Sequence, residues 1–61
     1  MEVVVFGNIE KAREVAALFE IIIEEDHSWN IPALRVKGEA PVVRGYLAFL
    51  KALDDSIGFV S

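Results

Sequence analysis

The chain has 61 residues, so it forms at most one small domain (1–61) that buries only about 60% of its unfolded surface. It has no cysteine and one histidine, which excludes disulfides, cysteine-ligated zinc and thiol chemistry and leaves association as the means of added stability. A net charge of −4 disfavours binding to a phosphate backbone, and a hydrophobic content of 54% favours a protein interface. No apolar run or signal peptide indicates a membrane or secretory destination, so we expect a cytoplasmic protein.

The first half of the chain predicts a strand, a helix and a second strand. The valine-rich segment from Glu2 to Phe6 is apolar on both faces, as is typical of a central strand. Asn8 is a candidate N-cap for a helix whose apolar residues, from Ala12 to Phe19, recur with helical spacing. Ile21 to Glu25 could continue that helix or form a strand. Three consecutive β-branched isoleucines favour the strand, which we predict.

The second half predicts a hairpin followed by a helix. Apolar and basic residues alternate from Ala33 to Lys37, as in a strand with one buried face and one wet face. Gly38-Glu39 fits a tight turn, and we expect Val42 to Arg44 to be a short edge strand antiparallel to the first. Gly45 to Asp55 is predicted to be a helix, and Ile57 to Val60 an apolar tail.

Two short motifs resemble the N-terminal thioredoxin-like subdomain of the glutathione S-transferase superfamily. Ile31-Pro32-Ala33-Leu34 is similar to the family's Val-Pro-x-Leu element, and Tyr46 to Leu53 is similar to the helix that follows it. The resemblance implies an α/β, thioredoxin-like βαβ-ββα fold with a mixed sheet of about four strands. It also implies a cis peptide bond before Pro32, and the short segment 26–30 implies that the family's second helix is missing.

The same resemblance implies a docking module and not an enzyme. The family's catalytic residue would fall at Gly7-Asn8-Ile9, and its glutathione-gripping pair at Arg44-Gly45, where no hydroxyl is present. Shortened, non-catalytic subdomains of this kind resemble the N-terminal appendages of eukaryotic aminoacyl-tRNA synthetases, which act in docking. We therefore expect no catalytic residue, cofactor or metal. The alternatives are a stand-alone small α/β homodimer and a glutathione-binding enzyme subdomain.

The last helix is the predicted contact surface, because it is apolar on more than one side. We expect its inward stripe to consist of Tyr46, Phe49, Leu50 and Leu53. A protein partner or a second copy, with no nucleic acid or membrane, is expected to bind a surface formed by Leu47, Ala48, Ala52, Phe59 and Val60.

Three other groups of residues could carry chemistry in principle. Glu24-Glu25-Asp26 could bind a hard cation, and His27 could act as a general base. Arg35, Lys37 and Arg44 could form a basic patch. We expect a solvated strand end, a loop histidine and scattered surface charge instead, because adjacent carboxylates in a strand point to opposite faces and no spacing indicates a catalytic triad.

Overall fold

Six elements follow one another in the order β-α-β-β-α-β in the computed structural model, which describes residues 1–61. The bounds are β1 (Glu2–Phe6), α1 (Ile9–Ala16), β2 (Ile22–Glu25), β3 (Ala33–Lys37), α2 (Ala40–Leu53) and β4 (Gly58–Val60). The strands form one sheet in the order β2-β3-β1-β4, and both helices pack on one face of it. This element order is that of the ferredoxin-like, or split βαβ, motif. The predicted α/β class and the number of strands are confirmed, although the fourth strand is not the predicted one.

All three neighbouring strand pairs are antiparallel: β1 with β3, β1 with β4, and β2 with β3. The mixed sheet predicted from the sequence is therefore not found. A βαβ unit would pair β1 with β2 in parallel. Here β3 lies between those two strands, and the segment predicted to be an apolar tail forms β4 on the other side of β1.

The segment predicted to be the second hairpin strand, Val42 to Arg44, is helical. Helix α2 begins at Ala40 and has Pro41 in its first turn, where the missing amide hydrogen removes no helical hydrogen bond. A proline suits the start of a helix as well as the start of a strand. The segment forms a helix and not a strand because the helix buries Val43 fully in the core, one turn before the buried Tyr46.

The inward stripe of α2 also differs from the prediction. Its members recur at i, i+3, i+4 and i+7, and they are Val43, Tyr46, Leu47 and Leu50. Leu47, predicted to face outward, is only 5% exposed, whereas Phe49 and Leu53, predicted to face inward, are 43% and 54% exposed. Because the helix starts at Ala40, five residues earlier than expected, Val43 joins the apolar stripe, and the buried face is rotated from the predicted one.

Two other predictions have clear outcomes. The strand expected from Ile21 to Glu25 is confirmed as β2, and α1 ends before it at Ala16. The peptide bond before Pro32 is trans, as are all others in the chain, so the expected cis bond is not found. Pro32 directly precedes β3, where its missing amide hydrogen removes no bond from the strand ladder.

One hydrophobic cluster joins the helices to the sheet. It contains Val3 and Val5 of β1, Leu34 and Val36 of β3, and the buried faces of both helices. The Tyr46 hydroxyl donates a hydrogen bond of 2.8 Å to the Ala12 carbonyl oxygen and so ties α2 to α1. The opposite side of the sheet, called the open face below, is covered by no helix and carries side chains such as Val4, Arg35 and Val60.

Candidate functional site

A groove with a volume of about 320 Å³ runs between α2 and β4. We call it the α2–β4 groove, and it is lined by Met1, Arg44, Leu47, Ala48, Lys51 and Phe59. Leu47 is nearly buried, while the Met1 and Phe59 side chains are 45% and 44% exposed. The groove therefore presents apolar side chains to solvent, and such a surface favours contact with another molecule.

Strand β4 forms the edge of the sheet beside this groove. It pairs with β1 on one side and with nothing on the other, so its outward backbone groups are free. The three residues Gly58–Val60 include no lysine and no proline, which commonly protect strand edges. Lys51 fixes the end of α2 to this edge, because its ammonium donates a hydrogen bond of 2.8 Å to the Ile57 carbonyl oxygen.

The charge of the groove is opposite to that of the whole chain. Of the six Lys and Arg side chains, three form ion pairs with carboxylates, namely Lys11, Arg35 and Lys37. Of the three that form none, Arg44 and Lys51 both line the groove, which has no acidic residue. An acidic chain with a net charge of −4 thus has one apolar groove with a basic rim.

The residues predicted to form the interface fall in three different environments. Ala48 and Phe59 line the α2–β4 groove. Ala52 is exposed on α2, and Val60 is exposed on the open face, beside the same strand edge. Leu47 contributes to the groove only as a nearly buried part of its wall.

Sequence reasoning missed Arg44 as part of this surface. The signal was present, because Arg44, Ala48 and Lys51 are spaced i, i+4 and i+7 and so share one helix face. This helical spacing could not be used, because Val42 to Arg44 was expected to be a strand and Arg44 was therefore placed outside the helix.

A second apolar patch lies where the end of α1 meets α2. Leu18 and Phe19 are its members from the α1 side, and the Phe19 ring lies edge-on to Phe49 with 6.0 Å between ring centroids. Glu20 and Glu39 border this patch. It contains no strand edge, and its acidic border has the same sign as the net charge of the chain.

The three basic residues proposed as a patch do not form one, because Arg44 lines the α2–β4 groove whereas Arg35 and Lys37 share the open face and are paired with carboxylates. Arg35 lies on the open face, where its guanidinium contacts Glu2 at 2.6 Å and Asp26 at 2.7 Å. Lys37 contacts Glu24 at 2.9 Å. These hydrogen bonds raise the pKa of both cations, first through Glu2 for Arg35 and through Glu24 for Lys37.

Asp26 is the one buried acidic residue, and it organises the loop before β3. Its carboxylate accepts hydrogen bonds from the Ser28 amide and hydroxyl, from Trp29 Nε1 and from Arg35. These bonds, those from Ser28 above all, hold the pKa of Asp26 well below its ordinary value. The Trp29 ring in turn packs edge-on against Phe6, with 4.8 Å between centroids. All of these contacts hold the loop before β3 in place, so they give Asp26 a structural role.

A second groove, of about 340 Å³, lies between this loop and α1. It brings His27 and Glu25 near Arg13, which forms no ion pair. The Ser28 hydroxyl donates to Asp26 and makes no hydrogen bond to His27, so the nucleophile–base contact that acyl transfer requires is not formed.

The proposed cation ligands are also separated. The side chain of Glu24 lies on the open face and contacts Lys37, Glu25 alternates to the other face, and Asp26 is occupied by the loop. No group of three or more His, Cys, Asp or Glu side chains is arranged to hold a metal ion. Gly7-Asn8 serves as a turn and cap: the Asn8 side chain accepts a hydrogen bond of 3.1 Å from the Lys11 amide.

Neither helix combines the length and the hydropathy that a membrane span requires. Comparison with protein-family models, with curated proteins and with solved structures finds no match to this chain.

Proposed function

We propose that this chain is a non-catalytic protein-docking module whose contact surface is the α2–β4 groove. The observation that carries the proposal is the combination of an apolar groove with a strand edge that has no partner. Apolar surface beside an unpaired edge satisfies two requirements of a docking site, because it offers both hydrophobic contact and free backbone hydrogen-bonding groups.

The size of the domain supports the same proposal. A chain of 61 residues without disulfides has a limited core, and binding of a partner to the folded state adds stability by mass action. The groove offers partly exposed Phe59 and Met1 for that contact, and Phe is among the residue types that are enriched at interfaces.

The relation to glutathione S-transferase-like appendages of aminoacyl-tRNA synthetases stays a prediction. The antiparallel sheet and the trans peptide bond before Pro32 differ from what that resemblance implies. The docking proposal does not depend on the resemblance, because it rests on the groove and the edge alone. No observation favours the alternative of a glutathione-binding subdomain.

A homodimer is the second candidate, and the edge of β4, which has no partner strand and no charged residue, favours it. Antiparallel pairing of β4 with its copy would place residue 59 opposite residue 59 of the second chain and Gly58 opposite Val60. The same two-fold axis would bring Arg44 and Lys51 of both copies to one place, and like charges there oppose association. We therefore propose docking of a different protein.

Site-specific photocrosslinking tests the proposal. A photoreactive amino acid placed at Ala48, in the groove, should give an adduct of defined mass with a partner in cells that produce the chain naturally. The matched control is the same amino acid at Ala17, which is exposed at the end of α1. An adduct at position 48 that disappears when Phe59→Glu is added supports docking. Equal adducts from both positions, or none from position 48, would overturn it.

A further inference from the structure

We infer that the docked partner contributes an extended segment with the pattern acidic-x-apolar-x-acidic, whose three named residues share one face, and that this segment adds to the sheet as a fifth strand beside β4. This inference rests on the proposed function and names the chemistry of the partner.

The backbone of β4 decides where the strand is added. Each strand pair in the sheet is antiparallel, and an added strand continues that pattern by hydrogen bonding to the free side of β4. The opposite edge, β2, ends in Glu24 and Glu25, and charged side chains protect a strand edge. Of the two edges, β4 is the one that lacks charged residues.

The position of the groove decides which residues the added strand needs. Side chains of a strand alternate between faces, so the residue opposite Phe59 points to the helix side, as Phe59 does. There it lies against the flank of α2, next to Ala48 and the wall formed by Leu47. An apolar residue at this position of the partner fills the groove.

The basic rim decides the charge of the partner. Arg44 and Lys51 are seven residues apart, which is about 10 Å along the axis of a helix. Two residues four apart on the same face of a strand are separated by about 13 Å. Long Arg and Lys side chains can adjust to that difference. The pattern acidic-x-apolar-x-acidic therefore matches the groove, with Lys51 keeping two ammonium hydrogens free beyond its bond to Ile57.

The same charges explain why the occupant is a different protein and not a second copy. The only residues that β4 of a copy would bring to the edge are Gly58, Phe59 and Val60. None of them carries a carboxylate, so Arg44 and Lys51 would remain unpaired and would face the same cations of the copy.

A peptide titration tests the inference. The probe is acetyl-Glu-Val-Phe-Val-Glu-amide, added to the ¹⁵N-labelled chain, with acetyl-Lys-Val-Phe-Val-Lys-amide as the control. The acidic peptide should produce saturable amide shifts at residues 58–60 and at Ala48, and the lysine peptide should bind at least fivefold more weakly. Added salt should weaken binding of the acidic peptide, because the rim charges are exposed to solvent and are screened by salt.

Two arginine substitutions distinguish the effect of the basic rim on peptide binding from the effect of the net charge of the chain. Arg44→Glu and Arg13→Glu both change the net charge from −4 to −6, but only Arg44 lines the groove. Arg44→Glu should lower the affinity for the acidic peptide at least fivefold, since it removes an attraction to a peptide carboxylate and adds a repulsion. Arg13→Glu should change the affinity less than twofold. If Arg44→Glu does not fold, Arg44→Gln gives the same comparison, with Arg13→Gln as its control.

Three outcomes would overturn the inference. They are the absence of saturable shifts, equal affinity for the two peptides, and a wild-type chain that is dimeric by light scattering with β4 protected from hydrogen exchange. If a crosslink from position 48 persists while the acidic peptide fails to bind, docking stands and the acidic added strand is wrong. If the acidic peptide binds with the expected selectivity while position 48 gives no adduct in cells, the inference about ligand chemistry stands and the docking proposal is overturned.

Discussion

Leu47 and Ala48 are adjacent in α2 but lie in opposite environments, so substituting each should separate core from docking surface. Leu47 is 5% exposed, and truncating a buried leucine to alanine costs about 2–5 kcal/mol through lost transfer energy and cavity formation. A domain of 61 residues has a free energy of unfolding of about 3–9 kcal/mol. Leu47→Ala should therefore remove a large fraction of the stability and lower the melting temperature by roughly 8 °C or more.

Ala48→Glu should leave the isolated fold nearly unchanged. Ala48 is exposed, and surface substitutions usually change stability by no more than about 0.5 kcal/mol. Glutamate is a good helix former, and at position 48 it would lie one turn from both Arg44 and Lys51. The melting temperature should therefore stay within about 4 °C of wild type, while binding of the acidic peptide is weakened, because a carboxylate then lies in the groove.

Thermal and urea unfolding, followed by far-ultraviolet circular dichroism, measure both changes. Leu53→Ala is the matched control for Leu47→Ala, because it removes the same atoms from a side chain that is 54% exposed. Its cost should be well below that of Leu47→Ala. If Ala48→Glu unfolds the chain as strongly as Leu47→Ala, or if Leu53→Ala costs more than Leu47→Ala, the helix has another rotation and the groove is not formed as described.

Three further predictions concern individual residues outside the groove, namely Asp26, Tyr46 and Gly7. Hydrogen bonds, chiefly from Ser28, lower the pKa of Asp26, so the stability that they add is present above about pH 4 and is lost as the pH falls. Asp26→Asn should therefore flatten the acid side of the pH–stability curve, and an unchanged slope would contradict this. Burial raises the pKa of Tyr46 to about 12, so stability should fall as the pH rises from about 10 to 12. Tyr46→Phe should remove that fall and cost about 1 kcal/mol at neutral pH in urea unfolding. Gly7 has φ +109°, so Gly7→Ala should cost about 1–3 kcal/mol, whereas Gly58→Ala, with open space around its added carbon, should cost less than about 0.5 kcal/mol; equal costs would refute the backbone argument.

The sequence by itself determined the features that depend on neighbouring residues. The valines of β1, the cap at Asn8, the isoleucines of β2 and the alternation in β3 are local patterns, and each predicted element forms at those positions. Spacing also indicated that the final helix is apolar on more than one side. Local propensity and periodicity suffice for such features because the interactions that produce them span only a few residues.

Only the tertiary structure decided where these elements meet. Pro41 and the two valines after it were compatible with a strand start or a helix start, and burial of Val43 against the sheet selected the helix. That choice rotated α2, moved Leu47 inward and placed Arg44 beside Lys51. The strand order likewise depends on long-range pairing of β4 with β1, which a three-residue segment does not encode locally. The α2–β4 groove depends on both of these long-range arrangements, because together they place the basic flank of α2 beside β4, the sheet edge that carries no charged residue.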